Sequence, residues 1–223
     1  MKLFFAALAV IIAILFAPMV LSPAPDNSHG KPVEGLPWQI EALPDGTSRV
    51  LGLALGTATL NDARARFGDG ELALVAAQDE TESLEMYFTD VTAGVITGKV
   101  VVTGAMGAAD LAALRQRATK TEYMASGTKK SQLADQDLPA AYATPVRALA
   151  FIPSVNLDEA MVIQRFGQPG ERIRVSDKLE HFLYPERGLD VVLDADGKEL
   201  LQYVAPRDFA KLREPLISEG ATK

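Results

Sequence analysis

The chain of 223 residues contains no cysteine and only two histidines. The first absence removes disulfides, thiolate metal sites, a cysteine nucleophile and a lipid-modified N-terminal cysteine. The second leaves too few imidazoles for the His and carboxylate cluster of a zinc or iron site. His29 lies in a Pro-rich stretch, and His181 alternates with Glu180 and Phe182 on a predicted strand. Basic charge is also in short supply: 22 Lys and Arg face 29 Asp and Glu, a formal charge of −7. That leaves no basic footprint for nucleic acid and disfavours broad adhesion to anionic lipid. A modest negative excess does no more than keep a domain soluble.

Catalytic signatures are missing in the same way. No G-x-S-x-G occurs, and no spacing selects a carboxylate pair from the many acids. Thr103-Gly104-Ala105-Met106-Gly107 lacks both the Lys-Ser/Thr of a P-loop and the third Gly of a dinucleotide turn. Asp194-Ala195-Asp196-Gly197 has no bidentate Glu at calcium-loop register, because Glu199 comes too early. Asp-Gly there reads as a hairpin turn. The expectation is therefore no enzyme activity, no metal and no cofactor.

A long uncharged run opens the chain. Leu3 to Leu21 carries no charge, with Leu3, Phe5, Ile11, Ile12, Leu15 and Leu21 among its apolar residues. Its length approaches the roughly 20 residues that cross a hydrocarbon core. Lys2 at the start holds the N-terminus on the cytoplasmic side. A cleaved secretory signal is the alternative. The run is longer than the usual apolar region of about 7–15 residues, and its nearest small-x-small site, Ser22-Pro23-Ala24, is followed by Pro25. The expectation is a single-pass transmembrane anchor over residues 1–21 in the inner (cytoplasmic) membrane. Either reading exports the remainder to the periplasm or another extracytoplasmic space. Ala6, Ala9, Ala13 and Ala17 would allow a second helix to approach this one closely.

Residues 22–37, rich in Pro, Gly and small polar residues, read as a tether. After it, Pro44-Asp45-Gly46 between short apolar-polar runs predicts a β-hairpin. A short helix follows, with Thr57 or Thr59 as cap, Asp62 in its first turn, Leu60, Ala63 and Phe67 in one stripe, and Gly68 at its end. A three-stranded meander comes next, then a helix over residues 108–119. Residues 126–142 read as a partly ordered loop. The pattern then returns: a strand at 147–152, a helix with Asn156 as cap and Glu159 in capping-box position, a closing Phe166-Gly167, three strands, a further strand and a short terminal helix. Leu60-Asn61-Asp62-Ala63 with Arg66-Phe67-Gly68 matches Leu157-Asp158-Glu159-Ala160 with Arg165-Phe166-Gly167, two residues longer inside the second helix. The predicted fold class is α+β: an N-terminal transmembrane helix, then two related modules of short helices on small antiparallel sheets, over residues 38–135 and 136–223.

Gly167-Gln168-Pro169 and Phe182-Leu183-Tyr184, on a helix-to-hairpin pattern, resemble the SmpA/OmlA family of small outer-membrane-assembly lipoproteins. The first half shares the Leu55-Gly56-Thr57 entry and the Phe67-Gly68 exit but lacks the proline. The resemblance implies two tandem modules of the fold also seen in β-lactamase-inhibitor proteins, a helix pair on a small antiparallel sheet. It further implies a non-catalytic envelope protein that binds other proteins. The missing lipidation cysteine departs from the family and speaks against direct work at the outer membrane. The expected role is a scaffold or accessory subunit, partnered by an envelope or membrane-complex protein, with Trp38, Tyr87, Phe182 and Tyr184 as the candidate binding face. An exported small-ligand binder or enzyme with a pocket between modules is the other reading.

Overall fold

A computed structural model of the protein describes residues 34–77, 81–124, 127–196 and 198–220. The chain enters through a three-stranded sheet of β1 (Glu41–Ala42), β2 (Ser48–Val50) and β3 (Leu53–Ala54). The β1–β2 turn is the expected Asp45-Gly46 one, with Asp45 accepting from both the amide and the hydroxyl of Thr47. Helix α1 (Leu60–Phe67) follows, closed by a capping box in which Thr59 and Asp62 each bind the other's backbone.

Ten further strands form one antiparallel sheet. They are β4 (Glu71–Ala76), β5 (Glu82–Ala93), β6 (Ile96–Gly104), β7 (Lys120–Tyr123), β8 (Lys129–Gln132), β9 (Val146–Pro153), β10 (Glu171–Arg174), β11 (Leu179–Tyr184), β12 (Leu189–Asp194) and β13 (Leu200–Val204). Their order is β10-β11-β12-β13-β9-β6-β5-β4-β8-β7. Helices α2 (Ala108–Arg117), α3 (Leu138–Tyr142), α4 (Glu159–Phe166) and α5 (Ala210–Gly220) are the other α-helices among the described residues.

Period-two alternation sorts the side chains into faces. On β6, Val100 and Val102 are buried while Lys99 between strand neighbours is exposed. Their cross-strand partners Phe151 and Leu149 continue inward, as do Leu201 and Tyr203 on β13. This core face receives Leu60 and Ala63 of α1, Leu111 and Leu114 of α2, Ala141 of α3, and Val162 and Phe166 of α4. Residues of both predicted modules share that one cluster. Among the described helices only α5 packs elsewhere, through Leu212 and Leu216 on a second cluster containing Leu183, Val204 and Phe209.

Several expectations are corrected. Two small sheets in separate modules are not observed: β6 pairs with β9 in register from Gly98↔Pro153 to Gly104↔Val146, which joins both halves into a single ten-stranded sheet. Paired edges satisfy backbone groups that two separate sheets would have left open. The expected transmembrane anchor is also not part of the observed fold. Among the described residues no helix is long and apolar enough to cross a membrane, and the stretch 1–21, with its named apolar residues, lies outside them. The tether up to residue 33 lies outside them too. The loop expected at 126–142 instead contains β8 and α3, because β8 finds partners on β4 and β7 that a local reading cannot see. Finally, the cap of α4 is Asp158, which accepts from the Met161 amide, rather than Asn156. With that shift, α1 and α4 have equal length, eight residues each, and correspond without a gap from Thr59 and Asp158 to Gly68 and Gly167.

Candidate partner-binding face

The four aromatic residues selected from sequence separate in space. Phe182 is completely buried in the core, with the Arg172 guanidinium 4.2 Å from its ring centre. Tyr184 is 5% exposed, and its hydroxyl donates to the Gly167 carbonyl at 2.9 Å. Burial pushes its phenol up, against the opposing pull of Arg187 and Arg172. Trp38 is half-buried, meets Phe166 edge-on at 6.4 Å, and carries Arg165 over its ring at 4.7 Å. Phe166 in turn lies 6.0 Å from Tyr184. Trp38 and Tyr184 thus belong to one aromatic ladder that fastens the entry segment onto α4. The same fastening uses Tyr203, whose fully buried hydroxyl donates to the Pro37 carbonyl at 3.0 Å. Burial holds that phenol well above its usual range.

Tyr87 is different. It points to the second face of the sheet, away from α1–α4. One row of that face can be followed strand by strand through the register: Glu171, Leu183, Asp190, Gln202, Ala150, Val101, Tyr87, Glu71. At the first end α5 covers it. Arg213 of α5 donates to both carboxylate oxygens of Glu171, at 2.6 and 3.0 Å. That hydrogen-bonded pairing lowers the Glu171 carboxyl and raises the Arg213 guanidinium.

In the neighbourhood of α5 lies a buried polar group. His181 Nδ1 is 2.8 Å from Asp190 Oδ2, with His181 6% and Asp190 1% exposed. Gln202 donates to the same carboxylate oxygen at 3.4 Å. Asp190 Oδ1 is buried without a hydrogen-bond partner. Gln202 reaches the carboxylate and not the imidazole, so the three side chains link β11, β12 and β13 across the sheet.

Past Gln202 the row changes character. Ala150, Val101, Tyr87 and, two residues along β9, Ile152 are half-buried and belong to neither of the apolar clusters that receive the described helices. Charged pairs fringe this strip on the outer strands: Lys130 with Glu71 and Lys120 with Glu122, each at 2.5 Å. The hydrogen bond from Lys120 lowers the Glu122 carboxyl and raises the lysine. An apolar centre with a charged rim is the anatomy of a protein-binding surface. A sequence signal for it existed in Val100-Val101-Val102 and Ala148-Leu149-Ala150-Phe151-Ile152. Strands apolar on both faces are the mark of a sheet meant to be covered twice.

Comparison of the chain with protein-family models, with characterised proteins and with solved structures returns no match.

Proposed function

We propose that the protein is a non-catalytic binding module, a scaffold or accessory subunit whose second sheet face takes a protein partner outside the cytoplasm. The observation that carries this is the strip Tyr87, Val101, Ala150 and Ile152, apolar on a sheet face where, among the described helices, α5 alone packs. Apolar sheet surface left in water forfeits roughly 25 cal/mol per Å2 that a partner would recover. The resemblance to the SmpA/OmlA family supports an envelope partner. The uncharged run after Lys2 supports export.

Site-specific photocrosslinking tests it. A benzophenone side chain placed at Val101 of the full chain, expressed in its source cells, is expected to capture one discrete partner. The same group at Arg64, on the opposite side of the sheet, should not. Val101→Lys should reduce recovery of that partner by about tenfold or more, since an unpaired charge would be buried, with the circular dichroism spectrum unchanged. Equal capture from both positions, or full recovery with Val101→Lys, would remove the strip from the proposal.

A further inference from the structure

At the opposite face, where β11 and β12 run past the N-terminus of α4, the surface opens into a cavity of about 220 Å3. Its walls are of two kinds. Leu157, Leu179 and Leu193 supply apolar surface, and five carboxylates stand against only two cations. Both cations are already engaged: Arg174 with Glu180 at 3.4 Å, and Lys178 with Asp196 at 2.6 Å. Asp158 and Asp194 each give one oxygen to a backbone amide, of Met161 and Asp196 respectively.

Glu199 is the informative member. It lines the cavity, is only 7% exposed, and its Oε2 is buried without a hydrogen-bond partner. A carboxylate taken out of water and left unpaired is costly, by an amount that a cation brought alongside would return. The positive end of α4 does not turn the cavity into an anion site, because Asp158 and Glu159 already occupy it. Nor do the acids form a chelate: among the described residues no three carboxylate or imidazole groups converge as metal ligands would.

We infer that this cavity is a socket for an alkyl cation, the arginine or lysine side chain of a protein partner. The leucines take the aliphatic stem and Glu199, with Asp158, Asp177 and Asp194, takes the charged head. Long basic side chains divide into an apolar stem and a polar tip in this way. The socket is separate from the Tyr87 strip and would give a partner a second, charge-selective point of attachment.

The test is an NMR titration of the full chain with N-acetylarginine amide, beside its neutral isostere N-acetylcitrulline amide and beside calcium chloride. Saturable shifts are expected for the arginine compound, in the millimolar range, at the amides of Leu157, Leu193 and Glu199. Glu199→Gln should weaken that binding roughly tenfold or more, and the arginine compound should raise the wild-type melting temperature but not that of the variant. Should Glu199→Gln fail to fold, Asp177→Asn on the cavity rim gives the same readout with a smaller loss. Equal binding of the citrulline compound, unchanged affinity in the variants, or saturation by calcium alone would each overturn the inference. None of these outcomes depends on the Tyr87 strip, so the binding-module reading is tested separately by crosslinking from Val101.

Discussion

Gly188 sits at φ +64 between β11 and β12, and a Cβ built there would collide with the carbonyl oxygen of Val204 and crowd the nitrogen of Pro206. The Val204 amide meanwhile donates to the Gly188 carbonyl at 2.9 Å. The close approach is therefore part of how β13 is seated, and no flexible side chain can yield to relieve it. Gly188→Ala is expected to destabilise the fold by at least about 2 kcal/mol, combining left-handed backbone cost with displacement of paired backbone. Urea denaturation measures this, and a loss under about 0.5 kcal/mol would mean that the strand moves freely. Leu51 is the opposite case at this scale. It holds φ +50 without being glycine, in a two-residue turn with Gly52, and is kept there by a side chain 2% exposed and by Arg66 donating to its carbonyl at 3.1 Å. Burial of a leucine outweighs the roughly 1–2 kcal/mol of left-handed strain.

Among the elements, α1 and α4 show how a short helix is specified twice by the same local grammar: a polar cap, a buried residue four positions on (Ala63, Val162), and a Phe-Gly exit. Helix α5 obeys other rules. It contains Pro215 and takes its position from Leu212, Leu216 and the Arg213–Glu171 pair. Because that pair depresses the Glu171 carboxyl, its stabilisation is present above the unfolded value of about 4.3 and is lost as pH falls through the folded value. Glu171→Gln should cost about 0.2–1 kcal/mol at pH 7, the range for a partly exposed ion pair. The difference from the unaltered protein should shrink towards zero at pH 3. Denaturation curves at the two pH values decide it, and an equal difference at both would assign the effect to packing rather than charge.

For the whole molecule, one core cluster and one sheet span both halves of the sequence. The β6–β9 pairing lies inside that sheet, so cutting there would expose two strand edges and the apolar faces of Val100, Val102, Leu149 and Phe151 together. Unfolding should accordingly be a single cooperative transition. Trp38 fluorescence, which reports on the aromatic ladder at α4, should follow the same urea curve as far-ultraviolet circular dichroism, which reports on all strands. Two separated transitions would restore the picture of independent modules.

Many of the strands and the Phe-Gly ends of α1 and α4 were legible in the residues, because capping and alternation act over a few positions. Thr59 as one of two candidate caps, the Asp45-Gly46 turn and the Phe67-Gly68 exit are local in this sense. What the residues could not tell was association. Whether β6 ends one sheet or meets β9, whether Tyr184 or Tyr87 faces outward, and whether Glu199 is solvated or buried depend on partners tens of residues away. By itself the sequence determined the helices with a polar cap and a Phe-Gly end, the strands with clear alternation, and that cysteine chemistry has no place here. Only the tertiary structure decided that the halves share one sheet, since closing β6 on β9 is rewarded by backbone pairing and joint apolar burial that neither strand carries alone.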